Sequence, residues 1–198
     1  MFVVKRNGNQ QPVSFDKITK RISQLCDGLD PNHVDAVQIS QKVIQGVYPG
    51  VTTSQLDDLA AETAAACATK HPDFTKLAAR ISVSNMQKNT DDKFSTVIEK
   101  MATHVHPKTG AASPLIAEDI YTIVNANKDK IDSYIQYDRD YLFEYFGYKT
   151  LEKAYLMRID GVLIERPQHM FMRVALGIHK SDLDAAFETY DMMSQKYF

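Results

Sequence analysis

The first thirty residues change the period of their apolar positions part-way along. Phe2–Lys5 and Gln11–Phe15 are predicted as short strands, and the Asn7-Gly8 pair between them tolerates the positive φ of a hairpin turn. Pro12 has no N–H to donate, so we expect the second strand to be an edge strand. After Asp16, the expected N-cap, apolar residues recur at helical spacing. The pattern predicts a hairpin followed directly by an amphipathic helix.

Helical spacing continues to about residue 90. It predicts three further helices separated by Pro-Gly and His-Pro breaks, and Thr52-Thr53 is a suitable cap for the second of them. A polar cluster at Asn89–Asp92 then marks a candidate domain boundary. The three predicted helices span residues 34–47, 53–67 and 73–88.

The second half of the chain is also helical in pattern. We predict a second β-hairpin over Tyr155–Glu165 with Asp160-Gly161 at its turn, and a helix that begins at Pro167. Ser181 and Asp184 resemble a capping box for the last helix. The other predicted helices span 92–105, 113–127 and 129–135. The fold class that follows is mainly α: an N-terminal β-hairpin with four helices, then a helical segment with one short β-hairpin.

Composition narrows the class of protein. The chain has 198 residues, 44% of them apolar, which is enough for one substantial core or two small ones. Its net charge of -2 gives no global attraction to nucleic acid or to an anionic membrane. The longest apolar run, residues 64–68, is far shorter than the roughly 20 residues of a membrane helix. Cations at Lys5 and Arg6 argue against a signal peptide, and the isolated Cys26 and Cys67 indicate a reducing compartment. We therefore expect a cytoplasmic protein with no membrane and no nucleic-acid partner.

The amino terminus carries a local excess of positive charge. Residues 1–22 contain five cations and one acidic residue, a local charge of +4. Two of the cations lie beside the predicted hairpin turn and a third follows the cap of the next helix, whose free N–H groups also favour an anion. These features suit a polyphosphate, and the alternative is an ordinary solvated basic surface. The five cations are Lys5, Arg6, Lys17, Lys20 and Arg21.

Two carboxylates, Asp57 and Asp58, are expected in the first turn of the third helix. One explanation is the helix dipole, which stabilises negative charge there. The other is a carboxylate that accepts hydrogen bonds from sugar hydroxyls, a contact worth about 1–3 kcal/mol between ribose and deoxyribose if it is buried. The sequence leaves both explanations open.

The remaining residues with potential chemistry give weak signals. His104 and His106 could face one side of an extended segment, but no third ligand is suggested nearby, so we predict no metal site. The sequence motifs of metalloproteases, serine hydrolases, P-loop proteins and Rossmann domains are missing. Carboxylates interrupt the aromatic stretch at residues 137–148, so we expect core or interface packing there rather than base stacking. Cys26 and Cys67 lie on apolar faces and are expected to be inert.

Several motifs resemble a known family. The first half is similar to an ATP-cone, the nucleotide-sensing module of ribonucleotide reductases, and the second half resembles the eukaryotic-type class I large subunit. The motifs of the first likeness are FVVKRNG (2–8), VSFDKI (13–18), VTTSQLD (51–57) and LAAET (59–63). Those of the second are LAARI (77–81), ANKD (126–129), YDRD (137–140), YFG (145–147) and ERPQHM (165–170). The resemblance covers essentially the whole chain.

The resemblance implies an allosteric nucleotide site. In the family, the cone binds ATP as an activator and dATP as an inhibitor, here expected with Mg²⁺ and with no redox cofactor in this chain. By position, Lys5, Arg6 and Lys88 would hold the phosphates. Thr53 and Asp57 would complete the pocket, with Asp57 sensing the sugar. The wall of the pocket would be Gln11, Pro12, Val13, Ser14, Phe15, Asp16 and Lys17. Related subunits often have Glu at the position of Gln11, a difference that bears on how sharply dATP inhibits.

The resemblance also implies what this chain lacks. Family members have several hundred residues, and their catalytic cysteines and substrate loop lie beyond the point matched by Phe198. We expect a nucleotide-sensing domain at residues 1–91 and an incomplete N-terminal portion of the catalytic domain at 92–198, with no catalytic residues and no activity alone.

The implied partners belong to the full enzyme, which reduces ribonucleoside diphosphates for DNA synthesis. They are a second copy of the chain, in a dimer and in a dATP-induced higher oligomer, and the small radical-generating subunit. The alternative is a non-catalytic oligomerisation or nucleotide-sensing module, or a naturally short paralogue.

Overall fold

The computed structural model describes residues 2–197 and is mainly α-helical over that range. The backbone forms two compact units, one made by Met1–Met86 with Phe143–Lys149 and the other by Gln87–Leu142 with Thr150–Phe198. Each unit contains one two-stranded antiparallel hairpin. The predicted fold class, with a hairpin and four helices first and a helical segment with one short hairpin after them, is confirmed. Within residues 2–197 we find no helix long and apolar enough to cross a membrane.

The first hairpin lies at the start of the first unit. Strand β1 (Phe2–Val4) pairs in antiparallel fashion with β2 (Gln10–Pro12). The other side of β1 bonds to the segment before the third helix, where the Val4 N–H donates to the Val51 carbonyl at 2.9 Å. Strand β2 is therefore an edge strand, which is where Pro12, with no N–H to donate, is tolerated.

Helix α1 (Phe15–Ser23) begins earlier than predicted. Its N-cap is Ser14, which has extended backbone angles and whose Oγ accepts from the Lys17 N–H at 3.4 Å. The predicted cap at Asp16, and the prediction that the second strand continues to residue 15, are therefore wrong. Ser14 reaches a free N–H of the first turn, whereas Asp16 already lies inside that turn, where its charge favours the helix dipole.

Three more helices complete the first unit. They are α2 (Ala36–Gln45), α3 (Thr53–Ala65) and α4 (Asp73–Asn89). The last three residues of α4, 87–89, belong to the second unit. Thr52 caps α3 in a capping box with Gln55, as the Thr52-Thr53 pair predicted. The buried core includes Ile22, Ile39, Val43, Phe74, Leu77 and Ile81. Tyr145, from the distant 143–149 segment, packs against this core, which the sequence pattern did not predict.

The second unit contains the remaining elements. In chain order they are α5 (Phe94–Ala102), α6 (Glu118–Ala126), α7 (Lys128–Tyr134), a 3₁₀ helix (Tyr137–Leu142), α8 (Tyr145–Ala154), whose first residues belong to the first unit, β3 (Arg158–Ile159), β4 (Val162–Leu163), α9 (Pro167–His179) and α10 (Leu183–Ser194). The predicted hairpin turn at Asp160-Gly161 and the helix start at Pro167 are confirmed.

Two boundaries in the second unit differ from the predictions. Helices α5 and α6 are shorter than predicted, because Val105 and Ala112 form an isolated antiparallel bridge that takes the chain between them out of helical geometry. The last helix is capped by Asp182, whose side chain accepts from the Ala185 N–H at 3.1 Å, so the predicted capping box that starts at Ser181 is wrong.

A buried network surrounds Arg166 in the second unit. Its guanidinium donates to Thr90 Oγ1 at 2.9 Å and to the carbonyls of Gln87 and Thr90 at 3.0 Å each. It also lies over the Tyr137 ring, 4.7 Å from the centroid. Nε and Nη2 of this buried cation thus donate to oxygens, and the guanidinium also contacts an aromatic face, which makes Arg166 a structural element of the unit.

Two titratable groups in the same network have displaced pKa values. The His169 Nε2 lies 2.9 Å from the Tyr137 hydroxyl, and burial lowers the pKa of His169 to about 3. The Asp140 carboxylate accepts from the Gln87 amide at 2.9 Å, and burial raises the pKa of Asp140 to about 6. Of the predicted aromatic stretch, Tyr137 is thus packed in this network, Tyr148 is buried within the first unit, and Phe146 is exposed.

Candidate functional site

The first unit brings two arginines to one buried carboxylate. Asp57 Oδ2 lies 3.2 Å from Arg6 Nη2, and Asp57 Oδ1 lies 3.6 Å from Arg21 Nε. Arg6 follows strand β1, Arg21 lies in the last turn of α1, and Asp57 lies on α3, so one carboxylate connects three elements. The Asp57 side chain is 11% exposed, whereas those of Arg6 and Arg21 are 30% and 25% exposed. The carboxylate is inside and both cations reach solvent.

The position of Asp57 on its helix corrects the sequence analysis. The capping box at Thr52 sets the start of α3 at Thr53, so Asp57 is in the second turn and the first turn contains no acidic residue. The helix-dipole explanation of the acidic pair therefore fails, because the dipole effect falls off within the first turn. The ion pairs with the two arginines account for the buried charge instead.

The side chain of Asn85, near the end of α4, is the second centre of the cluster. Its Oδ1 accepts from Arg6 Nη2 and from Ser54 Oγ, the latter at 3.1 Å. Its Nδ2 donates to Asp58 Oδ1 at 2.9 Å and to the Ser54 carbonyl at 3.2 Å. This amide is buried, and both its oxygen and its nitrogen make hydrogen bonds, so it orients the Arg6 guanidinium.

The neighbouring residue on α4 fixes the second arginine. Arg21 Nη2 donates to Ser84 Oγ at 2.7 Å. Arg21 Nε is buried and makes no hydrogen bond among the described residues, since the nearest Asp57 oxygen is 3.6 Å away. The Nε–H of Arg21 therefore interacts with Asp57 only through charge, and an acceptor at hydrogen-bond distance would satisfy it.

Several residues predicted for the pocket lie around this cluster. Thr53 Oγ1 accepts from Arg6 Nη1 at 3.5 Å. Lys17 Nζ donates to Gln11 Oε1 at 3.4 Å, which connects the edge strand to the start of α1. Phe15 opens α1 with 38% of its surface exposed, although aromatic side chains are usually more buried. Between these two elements the chain runs through Pro12, Val13, Ser14 and Asp16.

The two lysines predicted to hold phosphates are both exposed. Lys5 directly precedes Arg6, and its backbone closes the hairpin through the N–H that donates to Asn9 O at 2.8 Å. Lys88 is in the last turn of α4, three residues after Asn85, and belongs to the second unit. Its place in the phosphate site stays a prediction.

Sequence reasoning missed three members of the cluster and counted a fourth, Arg21, only among the five basic residues of the amino terminus. Arg21 had a signal, because it lies four residues after Lys17 on a basic helix face. The other three, Ser54, Ser84 and Asn85, are small polar residues with no pattern that separates them from ordinary helix positions. Only the packing of α3 against the end of α4 through these contacts assigns them a role.

The cysteines and histidines considered in the sequence analysis do not belong to the Asp57 cluster. Cys67 is buried with Lys42 Nζ at 3.5 Å from its sulfur, and burial raises the pKa of Cys26, which lowers its thiolate fraction. His104 and His106 flank the isolated bridge at Val105, and in the described part of the chain they belong to no group of three metal-ligating side chains.

The comparisons with known proteins agree with this geometry. Residues 1–89 match the family described as ATP cone domain. The hairpin and four helices that carry the Asp57 cluster thus lie within the region that matches an ATP cone domain. Residues 141–198 match a second family, described as ribonucleotide reductase, all-alpha domain.

The relatives extend the match to the whole chain. All 198 residues align at 61% identity with the ribonucleoside-diphosphate reductase large chain of Schizosaccharomyces pombe. The large subunits of Arabidopsis thaliana and of Vaccinia virus are each 56% identical over the same length. The chain spans 24%, 24% and 26% of these three relatives. Over its whole length it is similar to the amino-terminal quarter of ribonucleoside-diphosphate reductase large subunits.

Proposed function

We propose that this chain is the allosteric portion of a ribonucleoside-diphosphate reductase, and that the Asp57 cluster binds ATP or dATP as an Mg²⁺ complex. The observation that carries the proposal is the buried Asp57 carboxylate bridged by two partly exposed arginines. The reduction of ribonucleotides, and its control by the nucleotide, are proposed for the full-length enzyme, because this chain spans only about a quarter of its relatives.

Charge supports a triphosphate at this place. Arg6 and Arg21 balance Asp57 and Asp58, and the exposed Lys5 and Lys17 on the same elements add positive charge around them. The start of α1, directly after the edge strand, adds N–H groups and the positive end of a dipole. We assign the phosphates to Lys5, Arg6 and, from the α4 end, Lys88.

The exposed aromatic ring supports a base. Phe15 lies beside the cations at the start of α1, and a base stacked on it would cover apolar surface that now faces water. Gln11 and Lys17, which hydrogen-bond each other, would form the wall next to the base and sugar. The amide of Gln11 presents both a donor and an acceptor to such a ligand.

The Asp57 contacts suggest how the phosphates and the sugar are sensed together. Both oxygens of Asp57 are directed at guanidinium groups. A triphosphate competes for Arg6, because charge-assisted bonds to phosphate are strong and Arg6 is the more exposed partner. Once Arg6 turns toward the phosphates, Asp57 Oδ2 is free to accept from a sugar hydroxyl. Phosphate binding thus prepares the group that distinguishes ribose from deoxyribose.

Calorimetric titration of the chain with Mg-ATP and Mg-dATP tests this site. We expect Lys5→Ala and Lys88→Ala to weaken both nucleotides by about 1.5–3 kcal/mol, roughly 10- to 100-fold, the value of a charge-assisted hydrogen bond. Asp57→Asn is expected to reduce the difference between ATP and dATP while keeping triphosphate affinity. Lys70→Ala, which removes an exposed charge between α3 and α4, is the matched control and should bind as the unaltered chain does. Unchanged affinity in both lysine variants would remove the site assignment.

The association of the full enzyme belongs to the same proposal. We propose a dimer, a larger dATP-bound oligomer and a small radical-generating subunit as partners, and a cytoplasmic location. In this scheme residues 1–91 sense the nucleotide and 92–198 begin the catalytic domain.

A second function, self-association without turnover, is favoured by one observation in the second unit. Val174 and Ile178 lie one turn apart on α9 and are 37% and 62% exposed, an apolar stripe on an otherwise packed helix. Light scattering with and without dATP separates the two functions. A monomer that binds dATP supports the sensor, and a nucleotide-independent oligomer that Ile178→Lys dissolves supports the association module.

A further inference from the structure

Three metal-ligating side chains converge at the other end of the first unit. Asp30 and His33 lie in the loop between α1 and α2, and His71 lies in the loop between α3 and α4. Asp30 Oδ2 is 2.9 Å from His33 Nδ1 and 3.8 Å from His71 Nε2. The two imidazole rings are stacked, with centroids 4.6 Å apart and an interplanar angle of 15°. Across residues 2–197, this is the one group of three such side chains whose ligand atoms all lie within 4.8 Å of one another.

These separations are close to those required around a transition metal. With metal–ligand bonds of about 2.0–2.2 Å, tetrahedral ligands lie about 3.3–3.6 Å apart. The two measured separations, 2.9 and 3.8 Å, fall on either side of that range, and the stacked imidazole rings must rotate for both nitrogens to face one ion. We propose that Asp30, His33 and His71 form a binding site for Zn²⁺ or a chemically similar ion, with water in the remaining positions.

The backbone directs the carboxylate toward the two histidines. Asp30 Oδ1 accepts from the Asn32 N–H at 2.9 Å, which leaves Oδ2 for the imidazoles. The Asp30 N–H itself donates to Asp73 Oδ2 at 2.9 Å, which ties this loop to the first residue of α4. Pro31 and Pro72 each follow a ligand directly and restrict the backbone there, so little ordering entropy remains to be lost on binding.

Asp73 contacts His71 at the ring nitrogen opposite the proposed ligand atom. At present the Asp73 N–H donates to His71 Nδ1 at 3.2 Å, so the neutral ring carries its proton on Nε2. A metal at Nε2 requires the ring proton on Nδ1, so binding must break the bond from the Asp73 N–H and turn Nδ1 toward Asp73 Oδ2, which is 3.9 Å away. Asp73 is itself held by Lys76 Nζ at 2.8 Å. A carboxylate behind a ligating histidine is the usual arrangement around protein-bound zinc.

The donor set indicates which ions fit. Two imidazole nitrogens and one carboxylate suit Zn²⁺, Co²⁺ or Ni²⁺, whereas Mg²⁺ prefers oxygen ligands alone. The site is therefore chemically distinct from the Mg²⁺ that accompanies a nucleotide. It is also separate in space, because Asp73 and Asn85 are twelve residues apart on α4, about 18 Å of helix. A bound ion would connect the α1–α2 loop to the α3–α4 loop and stabilise the unit that carries the Asp57 cluster.

The test uses the whole chain, purified with chelator and then dialysed free of it. Calorimetric titration with Zn²⁺ measures stoichiometry, and the visible absorption of added Co²⁺ reports nitrogen ligands and coordination number. His33→Gln and His71→Gln remove one ligand each, and His33 is exposed enough for its replacement to leave folding intact, which circular dichroism checks. The double variant His104→Gln, His106→Gln is the matched control, because it removes two histidines of the second unit.

We expect one Zn²⁺ per chain, an affinity at least about tenfold weaker in both ligand variants, and no change in the control. Saturating Zn²⁺ should also raise the thermal midpoint of the unaltered chain by about 5–10 °C, and Mg²⁺ at the same concentration should not. Three results each overturn the proposal: no Zn²⁺ binding to the folded chain, binding that survives in both His33→Gln and His71→Gln, or binding that disappears in the His104, His106 control.

Discussion

The two units handle buried charge in opposite ways. In the first, Asp57 is buried while its partners Arg6 and Arg21 remain 30% and 25% exposed. In the second, Arg166 itself is buried, together with Asp140 and the side chains next to it. A cation that reaches water can exchange its protein partner for a ligand, whereas a buried cation cannot do so without leaving groups unsatisfied. The comparison indicates that the first cluster is built for binding and the second for structure.

The largest expected effect is a loss of stability when a buried ion pair of the second unit is broken. Glu165 is fully buried and receives two bonds from Arg173, at 2.6 and 3.0 Å. Glu165→Ala leaves that guanidinium without its partner, and we expect the free energy of unfolding to fall by about 3–5 kcal/mol. Urea denaturation measures it, with Glu188→Ala, an exposed carboxylate of the same unit, as the control. A loss below 1 kcal/mol would contradict the structural assignment of this buried charge.

The next largest effect is a loss of nucleotide affinity in the first unit. If it is absent, the proposed difference between the Asp57 cluster and the Arg166 network is wrong. In Arg6→Ala, Asp57 keeps Arg21 as a partner, so we expect the free energy of unfolding to change by no more than about 1 kcal/mol. Affinity for Mg-ATP should fall about 10- to 100-fold, because a phosphate contact is lost. Denaturation and calorimetry on the same variant give both numbers. A large loss of stability with unchanged ATP affinity would make the Asp57 cluster structural, like that of Arg166.

The third prediction concerns pH and the second unit. His169, with its pKa lowered to about 3, must take up a proton on unfolding below its usual pKa of about 6.5. Its stability contribution is therefore complete above pH 6.5 and is lost as the pH falls toward 3, by up to about 1.4 kcal/mol per pH unit. Asp140 acts in the opposite sense between about pH 6 and 4, because its pKa is raised and the folded state favours its protonated form.

The variant His169→Gln isolates the first of these two contributions. Because Asp140 is present in both proteins, the difference between their unfolding curves from pH 7 to pH 4 reports His169 alone. We expect the unaltered chain to lose more stability than the variant over this range, as measured by urea midpoints at each pH. Parallel pH dependence in the two proteins would show that His169 is not held neutral by burial.

The smallest expected effect is on stability and concerns the N-cap of α1 in the first unit. Ser14→Ala removes the N-cap of α1, and we expect a loss of about 1 kcal/mol in the free energy of unfolding. Asp16→Ala removes only a favourable charge in the first turn and should cost less, about 0.3–1 kcal/mol. Thermal denaturation of both variants compares the observed cap with the one that the sequence analysis expected. A larger effect at Asp16 would reverse the assignment.

The elements of the fold were predictable where the signal was local. The Asn7-Gly8 turn, the Thr52 cap and the Pro167 helix start each depend on contacts within a few residues, and each is confirmed. Helix ends were less predictable, because Ser14 and Asp16, like Ser181 and Asp182, are close together and all belong to residue types that cap helices. The joining of residues 143–149 to the first unit had no local signal at all.

Some residues of the candidate site were predictable from the sequence and others were not. The resemblance to the family placed Arg6, Thr53 and Asp57 together, and the structure brings their side chains into contact. It could not supply Ser84 or Asn85, because a serine and an asparagine in a helix carry no periodic signature. Those two residues acquire a role only where the end of α4 meets α1 and α3.

By itself the sequence determined the class of fold, the excess of positive charge at the amino terminus and the resemblance to a family, since these follow from periodicity, composition and motifs. Tertiary structure alone decided which charges meet. It buried Asp57 between two arginines and enclosed Arg166 among carbonyl groups. It also brought His71 to Asp30 across forty-one residues. The physical reason is that burial and ion pairing depend on distances in space, and residues distant in the chain become neighbours only after the apolar faces of the helices have packed.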